Sequence, residues 1–446
     1  MLNDQDKTQE QLDSWCSAPG INFTSKETEE NYKKRIKRIA DVIRLKKPDR
    51  VPIVPMWEYF YATYSGNSCH DVLYDRKIAS LAAKKTILEL EPDAYQAPIF
   101  FCVGPILDAL GSKDLRWPGH GIGNSHGHQY VEAEHMKADE YDDFINDPSD
   151  FMLRKYLPRV CGNLKAFESF SPFRNFYTYS TVYPNLFPFG TAEVVEAICK
   201  LVEAGEASVS YIQFLESFRK EMASLGFPAW AGSAALAPFD AIATTLRGTH
   251  GIALDMYRQP EAVKAACEKF VEILIENAVA GAKMSGIPIV FMPLNKGTAP
   301  TRDGKGGLLS PKQFDEFYWP TLKKVISGLI EYGLVPNLLI EGDFTSRLET
   351  IKDVPKGTCI YHFETVDIQK AKKVLGNHVC FRGSVPIRLL VLGTPQEVRD
   401  SCKELIDVLG EGGGFIMDAA MASEDVKPEN IKAMIDFTRQ YGVYNK

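Results

Sequence analysis

Residues 335–364 read VPNLLIEGDFTSRLETIKDVPKGTCIYHFE. Two apolar runs, VPNLLIE at 335–341 and TCIYHFE at 358–364, flank a loop with room for one short helix. Runs of this length, apolar almost throughout, suit strands of a parallel sheet buried on both faces. The rhythm extends outward, to IPIVFM at 287–292 on one side and to HVCFRG at 378–383 and GGFIMD at 413–418 on the other. Amphipathic stretches separate these runs, with the length that a parallel crossover requires. Near the start, Ile36, Ile39, Ile43 and Leu45 recur at near-helical spacing within 27–45, Pro48 ends that helix, and VPIVPM at 51–56 follows as a first strand. Strands alternating with helices predict an α/β fold closed as a (βα)8 TIM-type barrel.

The 446 residues fit one such barrel, a single domain over 1–446 with an N-terminal helical extension (1–50) and an insertion over about 110–190. The insertion is rich in Gly, His, Pro and aromatic residues and is expected to form long loops and a hairpin over one barrel mouth. Apolar residues make up 45% and charged residues 24%, the balance of an ordinary globular protein. A formal charge of −7 without any basic block gives nucleic acid or an anionic membrane nothing to bind, so small molecules and proteins are the expected partners. No apolar run reaches the ~20 residues of a membrane span. The N-terminus also lacks a signal-like pattern, so a cytoplasmic protein is expected. The nine cysteines are scattered with no CxxC pair, which predicts reduced thiols and no thiolate zinc cluster.

Six segments resemble, in the right order, the uroporphyrinogen decarboxylase superfamily and its corrinoid-dependent methyltransferase branch. They are RIADVIRLKKPDRVPI (38–53), MKADEYDDFINDP (136–148), the long stretch SAALAPFDAIATTLRGTHGIALDMYRQPEAV (233–263), LLSPKQFDEFYWPTLKKVI (308–326), VCFRGSVPIRLLVLGTPQEVRD (379–400) and GGGFIMDAAMASEDVKPENIKAMIDFTRQYG (412–442). Decarboxylases of the family hold a porphyrinogen bearing many carboxylates with an Arg-rich turn after the first strand. The stretch VPIVPMWEYFYATYSGNSCHDVLYD (51–75) contains no Arg or Lys, so such a substrate would lack charge-assisted partners there. Trp57, Tyr59, Phe60 and Tyr61 instead offer an aromatic wall, for a substrate or for packing, and Phe101 belongs to the same aromatic set.

In the thiol-methylating relatives, the resemblance implies zinc on a His-x-Cys pair at one strand end and on a late Cys. Here those positions align with Glu341 and Asp343 and with a point near Met421, while His362, Glu364 and Asp418 stand at neighbouring strand ends. Glu341 and His362 are the expected ligand pair, with Asp343, Glu364 and Asp418 competing for a third place. Oxygen ligands suit an ether oxygen better than a thiol. The other reading makes Glu341 and Asp343 solvated loop acids and His362 a hydrogen-bonded barrel histidine. His120, His126, His128 and His135 read as loop residues that cover substrate, and Asn295 and Lys296 as mouth residues, Lys296 facing an anionic group or a surface salt bridge.

The resemblance therefore implies the methyltransferase I component of an O-demethylase system. Such an enzyme moves a methyl group from an O-methyl donor, an aryl methyl ether, to cob(I)alamin. No Asp-x-His-x-x-Gly motif is present, so the cobalamin is expected on a separate corrinoid protein. The alternatives are a methylcorrinoid:thiol methyltransferase, uroporphyrinogen decarboxylation and a non-catalytic tetrapyrrole-binding barrel.

Overall fold

The computed structural model describes residues 3–98, 103–298, 307–419, 421 and 423–444. Six parallel strands are hydrogen-bonded in chain order: β1 (Ser233–Ala234), β2 (Ile289–Leu294), β3 (Val335–Asp343), β4 (Ile360–Thr365), β5 (Cys380–Arg382) and β6 (Phe415–Ile416). Two further extended segments close the ring. Ile53 pairs in parallel with Met417 beyond β6, and Tyr95 pairs in parallel with Ala229 ahead of β1. The amide of Asp93 donates to the carbonyl of Ile53 at 2.8 Å, joining the two segments to each other. Eight segments thus form a closed barrel, as the strand–helix alternation predicts. The expected first strand, 51–56, contributes a short bridged segment rather than a long ladder.

The main helices are α1 (Asp4–Ser17), α2 (Lys26–Ile43), α3 (Arg76–Leu90), α4 (Ala192–Ser224), α5 (Pro260–Ser285), α6 (Trp319–Glu331), α7 (Ile368–Leu375), α8 (Pro395–Leu405) and α9 (Pro428–Tyr441). Their starts are written locally. Ser25 accepts from the Thr28 amide ahead of α2, Asp367 from the Lys370 amide ahead of α7, and Thr394 with Glu397 forms a capping box at α8. None of the helices among the described residues is long and apolar enough to cross a membrane.

In the insertion, Leu115–Pro118 pairs antiparallel with Gln129–Tyr130, and helical turns take up much of the remainder. A small three-stranded sheet (Leu115–Pro118, Gly121–Ile122, Gln129–Tyr130) is followed by short helical turns over 141–190 and then by the 33-residue α4. Pro148, Pro158 and Pro188 sit in the first turn of their helices, where the missing amide costs nothing, so this Pro-rich stretch breaks into turns instead of pairing as strands. These turns pack a second small core around Leu164, Phe167 and Phe170.

The N-terminal extension is locked to the barrel by one buried carboxylate. Asp93 has no exposed surface, and it accepts from Arg38 on α2, from both terminal nitrogens of Arg50 at 2.7 and 3.0 Å and from the Ile53 amide at 2.8 Å. Burial alone would raise its pKa, but Arg50 and Arg38 outweigh burial and hold it below the ordinary value. Asp93→Asn removes the carboxylate that Arg50 and Arg38 share, leaving Arg38 only its pair with Asp49, and is expected to lower unfolding free energy by about 3 kcal/mol at neutral pH. A depressed folded-state pKa gives stability that is present above the unfolded carboxylate value and lost as pH falls through the lower folded one. The gap between wild type and variant should therefore shrink in acid, as urea titrations at pH 7 and below pH 4 will measure.

Candidate functional site

The barrel interior carries a buried charged layer. Arg382 on β5 is 1% exposed; its Nε donates to the Asp418 carboxylate at 2.9 Å, and its Nη2 reaches the same carboxylate at 2.8 Å and the Val54 carbonyl at 2.9 Å. Its guanidinium also lies 4.7 Å from the centre of the Trp230 ring. Asp418 accepts in addition from the amides of Met56 at 3.1 Å and Ala419 at 2.7 Å, so both of its oxygens are engaged. His362, fully buried on β4, places Nε2 at 2.9 Å from the Ala419 carbonyl. A carbonyl only accepts, so Nε2 carries the proton. Burial and then Arg382 hold the imidazole pKa well below its ordinary value, and Nδ1 is buried without a hydrogen-bond partner.

Toward the C-terminal ends of the strands the lining turns apolar. Met56, Phe291 and Leu339 form a buried cluster separate from the main core, bordered by Ala231 and Met421. They come from strand segments that are not all neighbours, so they meet across the inside of the barrel. Leu339 pairs in register with His362. Beyond them, where the register of β3 and β4 shifts between Ile340 and Asp343, come Glu341 and Glu364, close enough for the charge of Glu364 to act on Glu341.

These two acids share the mouth with a third, Asp240, from the helical turn Pro238–Asp240 after β1. Asp240 is buried and accepts from the amides of Asn295 at 2.9 Å and Lys296 at 3.1 Å and from the Tyr318 hydroxyl at 2.8 Å. Burial nevertheless raises its pKa to about 6. Glu364 accepts from the Gly342 amide at 2.6 Å. Glu341 is pushed up to about 7, first by burial and then by Asp240 and Glu364, with Lys296 opposing. Lys296 is itself held by the Thr249 hydroxyl at 2.7 Å and by Glu132 at 3.4 Å.

A second group of residues closes the mouth from the insertion side. Glu58, just past the first barrel segment, is raised to about 7 by burial and by Glu424. His128 Nδ1 lies 3.0 Å from the Tyr59 hydroxyl and 3.5 Å from the Glu58 carboxylate. Glu424, in the loop after β6, accepts from the Gly127 amide at 2.6 Å and so fastens the His-rich loop to the barrel.

Several sequence expectations change here. Asp343 is exposed and accepts from the Thr345 amide at 2.8 Å, pointing away from the other acids, because the register of β3 and β4 shifts between Ile340 and Asp343. Asp418 is engaged by Arg382, and His362 by the Ala419 carbonyl. Among the described residues no three His, Cys, Asp or Glu side chains are grouped so as to hold a metal ion. Among the described residues, Glu341, His362, Asp343, Glu364 and Asp418 are not grouped as one set of metal ligands. Trp57 and Tyr61 belong to the main core, Trp57 packing edge-on against Tyr61 at 5.6 Å, so the aromatic wall is largely packing. Tyr59 does reach the mouth group, and Phe101 lies outside the described residues. His120 stacks on Trp117 at 4.5 Å, and His135 pairs edge-on with Tyr156, so of the four loop histidines His128 is the one that meets barrel acids. Asp240, Tyr318, Glu58, Glu424 and Arg382 were not singled out from the sequence. An arginine inside the apolar run HVCFRG and an acid opening a helix in APFD were the available signals.

A closed eight-stranded α/β barrel with an acid-lined mouth at the C-terminal ends of its strands is the class that fold and site define. The chain belongs to the uroporphyrinogen decarboxylase (URO-D) family, whose model matches residues 189–441. Among curated proteins it is 29% identical to a uroporphyrinogen decarboxylase of Pseudoalteromonas translucida, over 31% of this chain and 41% of that one. It is 23% identical to the corresponding Chlorobium luteolum protein, over 42% and 51%. The chain thus spans about two fifths to one half of the length of these relatives. Among solved structures it resembles a methyltransferase from Methanosarcina mazei with a TM-score of 0.57 at 14% identity, over 91% of this chain and 98% of that one, a likeness of fold.

The raised pKa of Glu341 predicts a stability effect. In the window between its ordinary value and about 7 the folded state binds more protons than the unfolded one, so stability falls as pH rises. Glu341→Gln removes that loss. The variant should match wild type near pH 4.5 and exceed it at pH 8 by roughly 2 kcal/mol, as denaturant unfolding at both pH values will show.

Proposed function

We propose that the chain is a methyltransferase that takes a methyl group from an oxygen-bound donor, an aryl methyl ether, and passes it to cob(I)alamin on a separate corrinoid protein. The observation that carries this reading is the charge of the mouth. Three acids stand where a substrate with many carboxylates would need cations, while Arg382 is engaged by Asp418 and Lys296 by Glu132 and Thr249. A polycarboxylate such as uroporphyrinogen would be repelled there. A neutral aromatic ether suits the shelf of Met56, Phe291, Leu339 and Met421 beneath the acids. The likeness in fold to the Methanosarcina mazei methyltransferase is consistent with the same reading.

The residues then have definite tasks. An ether oxygen is a poor leaving group unless it gains a proton as its bond to carbon breaks. Glu341, with a pKa near 7, is protonated in an appreciable fraction of molecules at neutral pH and donates to that oxygen. The electron pair of the broken C–O bond stays on oxygen, which leaves as a neutral phenol. Cob(I)alamin, when docked, supplies the nucleophile that accepts the methyl group. Asp240 and Glu364 keep Glu341 protonated by their charge, and the apolar shelf keeps water from the methyl carbon. No step is assigned to zinc.

The test is purified protein with cob(I)alamin and a panel of methoxylated aromatics, read by the conversion to methylcobalamin. Methyl transfer is expected for at least one donor, with activity declining above pH 7. Glu341→Gln should lower kcat by about 10²–10⁴-fold. Decarboxylation of uroporphyrinogen, or transfer to a thiol without any ether demethylation, would overturn the proposal.

A further inference from the structure

Gln96 follows Tyr95, the residue that bridges the second barrel segment to Ala229. It is 3% exposed, and neither its amide nitrogen nor its amide oxygen has a hydrogen-bond partner. Among the described residues it is the side-chain amide with both atoms buried and unbonded; Asn295, Asn337 and Asn430 each have one such atom. A primary amide taken out of water with neither end bonded is costly, and native interiors rarely keep one without a use.

Its direction follows from its neighbours. Asp93 turns to Arg38 on α2, and Tyr95 packs edge-on at 5.8 Å against Phe218 of α4, so both face the helices around the barrel. Side chains alternate along an extended segment, which turns Gln96 to the interior. The Tyr61 hydroxyl donates to the Gln96 carbonyl at 2.5 Å and holds the backbone there. On one side, the bond from the Asp93 amide to the Ile53 carbonyl brings Gln96 alongside Met56. On the other, the Trp230 amide donates to the Tyr95 carbonyl at 2.9 Å, so Gln96 lies alongside Trp230 and Ala231. Met56 belongs to the apolar shelf and Ala231 borders it. One unbonded amide is thus set at the edge of an otherwise apolar surface.

We propose that Gln96 selects the methyl donor, taking a ring that carries a hydroxyl next to its methoxy group, the oxygen pair of a catechol monomethyl ether. This rests on the reading of an aryl methyl ether as donor and narrows it. A primary amide offers an acceptor and a donor side by side. The ring hydroxyl gives its proton to Oε1, and the adjacent ether oxygen, which only accepts, takes one from Nε2. A carboxylate substituent would satisfy Nε2 alone, at a mouth whose acids repel it. A ring with methoxy groups only brings no proton for Oε1. A site built to hydrogen-bond a hydroxyl rejects the analogue that lacks it, because the protein group is then left unbonded.

Calorimetric titration of the purified chain, without corrinoid, compares 2-methoxyphenol with 1,2-dimethoxybenzene. The phenol is expected to bind about tenfold more tightly or better. Gln96→Met, an apolar chain of similar length, should bring the two affinities to within about twofold of each other, with Tm equal to or above that of wild type because the unbonded amide is gone. In wild type labelled with 15N-glutamine, 2-methoxyphenol should shift one side-chain amide signal, the one missing from Gln96→Met. Equal affinity for the two rings, a ratio that survives Gln96→Met, or an amide signal that does not move would overturn the proposal. A ratio that depends on Gln96, with no methylcobalamin formed from either ring, would support the site and overturn the methyl-transfer reading.

Discussion

The barrel is organised around one buried guanidinium. Arg382 enters the interior from β5 and reaches, with its donors and its flat face, the first barrel segment at Val54, the segment before β1 at Trp230 and the end of β6 at Asp418. Asp418 passes that fixation on, because its other oxygen holds the amides of Met56 and Ala419. The first and last barrel segments therefore meet at a point pinned by charge as well as by the short ladder between Ile53 and Met417. Such a pair adds little net stability over a well-packed apolar layer, since desolvation offsets most of the attraction. Its effect is geometric. It fixes which residues of the first and last segments face inward, and hence where Met56 and the loop leading to Met421 and Glu424 stand.

That geometry separates the interior into a charged floor, an apolar shelf and an acidic rim. On the floor each charge has its counter-charge, and His362 stays neutral. At the rim, among the described residues, Lys296 is the cation that acts on both Glu341 and Asp240. Asp240 is compensated by two amides and a hydroxyl and lies near 6, while burial and then the charges of Asp240 and Glu364 raise Glu341 to about 7. A carboxyl raised to about 7 is part-protonated at neutral pH and can give up a proton. It arises from where strands and helices deliver side chains rather than from any one motif.

Much of the fold was legible along the chain because it rests on local signals. The runs at 287–292, 335–341, 358–364, 378–383 and 413–418 all became barrel segments. What could not be read was non-local. Whether His362 and Asp418 were available to a ligand depended on the Ala419 carbonyl and on Arg382, partners 57 and 36 residues away respectively. Asp343 lost its place through a register shift that composition does not reveal. The aromatic run from Trp57 reads equally as a pocket wall or as packing, and only the short helix Phe60–Ser65, turning Phe60 and Tyr61 into the core, decides between them.

The insertion shows how one segment can serve two surfaces. Its first part is fastened to the barrel, where Glu424 takes the Gly127 amide and Tyr59 meets His128. Its second part runs outward into short turns that expose one aromatic ring after another, and then into α4, whose inner face is satisfied by its own small core. Phe189 and Ile198 pack against that core as well, so the start of the 33-residue helix and the turns before it hold each other in place.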